Sequence, residues 1–267
     1  DSVPDYLSIS FSSNDYVNHI FGPSSLEAED NLLHLDRALG RLFEYLDDTV
    51  GLKHTLIVLS ADHGSPEAPG FANDMGMGRS KYFNAPELDQ SPLVAALKEQ
   101  FGIDGVLIES YSHPYLYLND DVIAAAGLDR EAVERATADI VGRVDGIALA
   151  VSSSALRQGQ VPRNRLVAAM EANFHPKRSG DVYVVFEPGV FINDFDGLTV
   201  AATHGSPWRY DTYVPVVFAG SGIRAQSVAR RITPYDIAPT LSAVLGIAPP
   251  SAAIGSPLVE VMSSRSR

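Results

Sequence analysis

The sequence predicts an α/β protein: a mainly parallel sheet sandwiched by helices, with a smaller inserted α+β lobe. Three observations predict it. A strand–helix–strand unit opens the chain, running from 6–11 through a leucine-striped helix to 55–60. Strand-like apolar runs at 200–203 and 214–219, followed by a helical stretch at 234–245, repeat the α/β theme at the other end. Between them, shorter strand and helix signals alternate without an internal repeat. The pattern divides into a core built from 1–90 and 195–267, with 91–194 as the inserted lobe.

Taken in order, Tyr6-Leu7-Ser8-Ile9-Ser10-Phe11 is the first strand. Pro23, Ser24 and Ser25 then suit a helix start, and Leu32, Leu35, Leu39, Leu42 and Leu46 recur at spacings of three and four, one apolar stripe that Gly51 closes. Thr55-Leu56-Ile57-Val58-Leu59-Ser60 is a continuous apolar run, as expected of a strand buried on both faces. The stretch 64–92, rich in Gly, Pro, Asn and Asp, reads as a long loop of the kind that is functional or mobile. A short helix follows to Phe101, with Pro92 in its first turn and Gly102 past its end. Further strands are expected at 106–109, 115–118, 147–151 and 181–187, and helices at 130–144 and 163–174.

Composition narrows the function. The 267 residues carry 33 acidic and 20 basic side chains, a net charge of -13, which argues against a nucleic-acid binder because phosphate binding needs clustered cations. No apolar run is long enough to span a membrane. With no cysteine there are no disulfides and no thiolate ligands, so any metal must sit on His, Asp and Glu. The opening Asp-Ser-Val-Pro carries no initiator Met or signal-like stretch, which suits either a trimmed leader or a start in mid-protein.

Three segments place His or Asp just past the carboxyl end of an expected strand, the edge where open α/β sheets bind ligands. Asp15 and His19 stand four residues apart, so one helical turn would bring both to a shared ion. Asp62 and His63 follow the second strand, and His204 follows 200–202. His-Gly-Ser-Pro occurs twice, at 63–66 and 204–207. Singly, an Asp-x-x-x-His pair also suits a surface ion pair and an Asp-His step a polar strand end. Together at one edge, they suit zinc or a similar divalent ion. His34, His54, His113 and His175 read as ordinary helix or loop residues, Arg79, Lys81 and Tyr82 as a solvated loop. Trp208 suits packing or a pocket wall equally.

Pro4-Asp5-Tyr6 through Asp15, His19-x-x-Gly22-Pro23, Ala61-Asp62-His63-Gly64, Thr203-His204-Gly205-Ser206-Pro207, Tyr210-Asp211, Val214-Pro215 and Ile232-Thr233-Pro234-Tyr235-Asp236 together resemble the alkaline phosphatase superfamily. The nearest branch is that of the phosphate-irrepressible alkaline phosphatases and the related nucleotide pyrophosphatase/phosphodiesterases. The resemblance covers most of the chain and is weakest over about 100–195.

The resemblance implies an alkaline phosphatase-like core. It implies one zinc on Asp15, His19 and His204, and a second on Asp62 and His63 together with an Asp and a nucleophilic Thr or Ser. Those last two belong to an N-terminal half with no counterpart in these residues. The expectation is therefore a zinc-dependent phosphomonoesterase of which this chain is the C-terminal part, with no catalytic nucleophile of its own and one zinc rather than two. Its substrate would be a small phosphate ester, its partner the missing N-terminal half, and its location periplasmic or secreted. A phosphodiesterase, and a zinc-binding fragment that turns nothing over, are the alternatives.

Overall fold

The computed structural model describes residues 3–195 and 197–264, so Asp1, Ser2 and the last residues of the polar tail lie outside the described residues. In chain order the first elements are α1 (Ser13–Phe21), α2 (Leu26–Thr49), β1 (Leu56–Ser60), α3 (Pro69–Asp74), β2 (Lys81–Tyr82) and α4 (Pro92–Phe101). Then come β3 (Ile108–Ser112), β4 (Tyr115–Leu118), α5 (Asp120–Ala125), α6 (Arg130–Val141), β5 (Ile147–Ser152), α7 (Ser153–Arg157) and α8 (Arg165–Asn173). The chain closes with β6 (Val182–Phe186), β7 (Val190–Phe191), β8 (Asp194–Phe195), β9 (Leu198–Thr199), α9 (Arg209–Thr212), β10 (Val216–Gly220), α10 (Ile237–Leu245) and α11 (Val259–Ser264). It falls into two compact units, one formed by 1–16, 26–64 and 213–267, the other by 17–25 and 65–212.

In the second unit the sheet runs in the order β3-β4-β6-β5, antiparallel throughout. β6 is its buried centre, every residue of Val182–Phe186 being withdrawn from solvent. α6 presents Val133, Ala138 and Val141 to the main apolar cluster, with Leu107, Leu116 and Val184. A second cluster gathers Val167, Met170, Val151 and Val185. Local chemistry sets the ends. Ser91 caps α4 by accepting from Val94 N, and Gly102 ends it in the left-handed conformation. Asp129 caps α6 through Ala132 N.

Two buried carboxylates tie elements together. Asp89 accepts from the amides of Leu107 and Ile108 at 2.9 and 2.8 Å and from Lys98 Nζ at 2.7 Å. Glu134 on α6 accepts from Ser154 N at 2.6 Å and from Arg130 at 3.0 Å. Each buried charge is thus paired, as burial demands.

The first unit is differently made. β1 and β10 pair antiparallel from Leu56–Gly220 to Ser60–Val216. α2 has the expected leucine periodicity, yet only Ala28 of its 24 residues is fully buried. Among the described residues, Pro239 on α10 and Leu258 and Val261 near the C-terminal end are also buried in this unit.

The α/β class stands, and the strand pairing departs from a mainly parallel sheet. Among the described residues, only Lys81–Tyr82 with Val190–Phe191 runs parallel. The reason lies in the connections: β3 and β4 join through a two-residue link, and such short links permit only antiparallel neighbours. The run 6–11 joins no ladder among the described residues and lies exposed.

Candidate metal centre

Helix α1 makes the spacing of Asp15 and His19 real: the two lie one turn apart on a single helix. Asp15 sits in the first turn, where negative charge suits the helix dipole, and His19 in the last. His19 is 4% exposed. Its Nδ1 lies 2.8 Å from the Ala202 carbonyl. A carbonyl only accepts, so Nδ1 carries the proton and Nε2 of the neutral ring keeps its lone pair, the arrangement of a metal-ligating histidine.

The same contact explains why the strand expected at 200–203 does not form. The amides of Ala201 and Ala202 both donate to the His19 carbonyl, at 2.7 and 3.2 Å, rather than to a strand partner. Docked there, the segment brings the His204 ring to 5.0 Å from the His19 ring, tilted by 41°. Two imidazoles whose nitrogens each lie about 2 Å from one ion have their centres roughly 5 Å apart. The second unit therefore brings His19 and His204 together at a separation suited to a shared cation.

The loop after His204 is braced. Asp211, buried in α9, accepts from Ser206 N at 2.7 Å and from Ser206 Oγ at 2.6 Å. Trp208 Nε1 donates to the Phe186 carbonyl at 2.8 Å, so the indole serves packing and anchoring. The Tyr210 hydroxyl accepts from Gly189 N at 3.2 Å, and burial raises its pKa.

In the first unit, Asp62 and His63 lie just past the carboxyl end of β1, as the sequence predicts. His63 Nδ1 is 3.0 Å from the Gly64 carbonyl and must donate to it, so that in the neutral ring Nε2 is the acceptor atom. That Nε2 lies 3.7 Å from Asp62 Oδ2, within reach of two atoms that each sit about 2 Å from one ion. The Asp62 side chain is 89% exposed, so this pair is open to solvent. Imidazole and carboxylate donors with carbonyl-fixed tautomers suit a borderline divalent cation such as zinc.

Two contributors were not legible as functional in the sequence. His113, expected to be a plain loop residue, is hydrogen-bonded to the Gly205 carbonyl at 3.2 Å. The Tyr82 hydroxyl donates to the Ala201 carbonyl at 3.0 Å, steadying the segment docked on His19. The available signal was Gly205 itself, a glycine beside a candidate ligand. Lys81 pairs with Asp145 and His175 closes a local turn, as surface residues do.

A family model described as type I phosphodiesterase / nucleotide pyrophosphatase matches residues 2–207. A protein of Myroides odoratus named calcium-transporting ATPase is 35% identical over 263 residues, covering 97% of this chain and 46% of that protein. Alkaline phosphatase PhoV of Synechococcus elongatus is 32% identical over 270 residues, covering 97% of this chain and 45% of its own. A crystal structure of alkaline phosphatase PafA matches with a TM-score of 0.78 at 31% identity, over 93% of this chain and 46% of that one. The chain spans about half the length of the curated relatives it matches. With its α/β fold, its ordered His and Asp motifs and a family match over 2–207, the chain belongs to the type I phosphodiesterase / nucleotide pyrophosphatase family of the alkaline phosphatase superfamily.

Proposed function

We propose that this chain is the metal-holding part of a zinc-dependent phosphate-ester hydrolase of the alkaline phosphatase type, acting on small phosphomonoesters. The observation that carries the reading is the His19–His204 pair, 5.0 Å apart, with His19 Nδ1 tied to Ala202. Asp15, His19 and His204 would hold one ion, and Asp62 and His63 would supply two ligands to a second. Zinc, when bound, would neutralise charge on the phosphate oxygens and lower the pKa of the attacking group. The chain's own part is orientation: the carbonyls of Ala202 and Gly64 hold the Nδ1 protons, so each Nε2 is presented as a donor of electrons.

The covalent nucleophile, a Thr or Ser, and the remaining ligands of the second site belong in this reading to polypeptide beyond these 267 residues. Two observations support it. The matched relatives are about twice as long. The first unit also carries exposed Tyr6, Leu7, Leu59 and Val217, apolar surface of the kind that further polypeptide covers. Export to the periplasm or medium is part of the proposal and rests on the resemblance alone. Among the described residues, no helix is long and apolar enough to cross a membrane.

A phosphodiesterase is the second reading, favoured by the description of the matching family. Hydrolysis of p-nitrophenyl phosphate and of its bis ester, by the longer protein and by this chain, separates them. Preference for the monoester by the longer protein supports the proposal; preference for the bis ester overturns it. A longer protein that binds zinc and cleaves neither leaves a metal-binding module.

A further inference from the structure

We propose that His113, backed by Tyr111, is a positioning residue that holds the His204 loop in its metal-binding shape. This rests on the reading of His204 as a ligand.

The geometry starts at one peptide group. Its carbonyl, that of Gly205, lies 3.2 Å from His113 Nε2, and its N–H, that of Ser206, lies 2.7 Å from Asp211 Oδ2. Both polar atoms of the peptide that follows the residue after His204 are therefore clamped, one from β3–β4 and one from α9. Since a carbonyl only accepts, His113 Nε2 must donate, and in the neutral ring Nδ1 is then an acceptor. The Tyr111 hydroxyl stands 2.7 Å from that Nδ1 and donates to it. Tyr111 is itself set by β3 and lies with its ring centre 5.9 Å from that of Phe186 on β6, whose carbonyl receives Trp208 Nε1.

The clamp acts where the backbone is otherwise free. Gly205 has φ +107°, and a Cβ there would lie 2.8 Å from His113 Nε2. A side chain there would be strained by that φ and would have to displace the His113 ring, and glycine leaves the link beside His204 pliable. Without the His113 hydrogen bond that pivot would be held on one side only. The direction of the His204 ring would loosen with it. Hydrogen bonds that orient metal ligands commonly change metal affinity by roughly 10–100-fold.

The test uses the full 267-residue chain and Zn2+ as the probe, with affinity read by competition against a chromophoric chelator. His113→Ala should weaken zinc binding by about 10-fold or more, while stoichiometry at saturating zinc stays unchanged because no ligand is lost. His113→Gln keeps an amide donor near Nε2 and should recover most of the affinity; Tyr111→Phe should lose a few-fold. His175→Ala is the control and should change nothing. Unchanged affinity in a folded His113→Ala chain, or a Gln variant as weak as Ala, overturns the proposal. If His113→Ala does not fold, the Gln and Phe variants decide it. Amide exchange over 203–211 in the metal-free chain is a second readout, expected to quicken in His113→Ala; no change there also overturns it. Wild-type chain that binds no zinc, with exchange quickened in the variant, would instead sink the reading of His204 as a ligand.

Discussion

At the scale of single residues, the candidate centre depends on who receives each imidazole proton. His19 and His63 both give Nδ1–H to a main-chain carbonyl, so neither needs a side-chain partner to present Nε2. Replacing His204 by Ala in the longer protein should lower hydrolysis by several orders of magnitude, as loss of a ligand does when catalysis depends on the ion. Steady-state rates with p-nitrophenyl phosphate check this; a loss of under about tenfold would remove His204 from the ligand set. Gly205→Ala makes a different prediction, because its damage is to the fold. A side chain at φ +107° is strained, and the new Cβ meets His113 at 2.8 Å. Strain of this kind costs about 1–2 kcal/mol before the clash is added. Urea unfolding should show at least that loss, whereas an equal change at Gly76, where a Cβ meets nothing within 4 Å, should cost only the backbone strain.

At the scale of elements, the turn before α10 is stapled by one carboxylate. Asp236 Oδ1 accepts from Ser256 N at 2.8 Å, and Oδ2 accepts from Thr233 N at 2.8 Å. These two N–H groups, Ser256 first, hold the Asp236 pKa below the usual carboxylate value. A depressed folded-state value contributes stability that is complete above the unfolded value of about 4 and is lost as pH falls through the folded one. Thermal unfolding between about pH 6 and pH 3 should therefore show wild type losing its advantage over Asp236→Asn on the acid side. Parallel curves would refute it. The helices of the two units should also differ in what a truncation costs. Met170 on α8 is wholly buried, and Met170→Ala should cost about 2–5 kcal/mol. Leu32 on α2 is 51% exposed, and Leu32→Ala should cost well under that.

At the scale of the whole molecule, both apolar clusters lie within the second unit. Native-state hydrogen exchange should accordingly find the slowest amides in β5, β6 and α6, with β1 and β10 exchanging sooner. On the proposed function, metal stoichiometry follows the distribution of ligands. Asp15, His19 and His204 make a three-ligand set supplied by this chain, and Asp62 with His63 only a two-ligand one. One equivalent of zinc should bind first, the second site filling weakly, and turnover of the isolated chain should stay near background. Metal analysis alongside a turnover assay checks both. Robust hydrolysis by these 267 residues would mean that the nucleophile lies among them.

Much of this protein follows from local sequence, because the forces concerned are local. The Asp15–His19 spacing becomes a single helical turn, the caps at Ser91 and Asp129 and the stop at Gly102 fall where side-chain chemistry puts them, and the buried run 182–186 is a strand. The run at 200–203 shows where locality ends: it has strand-like residues, but the His19 carbonyl took the amides a strand partner would have used. Parallel or antiparallel pairing was likewise beyond reach, since one apolar strand serves either and only the connections and available edges choose. The meeting of His19 with His204, and of His113 with Gly205, joins residues more than 90 positions apart in sequence. No periodicity encodes such a contact. Tertiary packing alone decided it, by bringing the His19 and His113 rings to the carbonyls of Ala202 and Gly205.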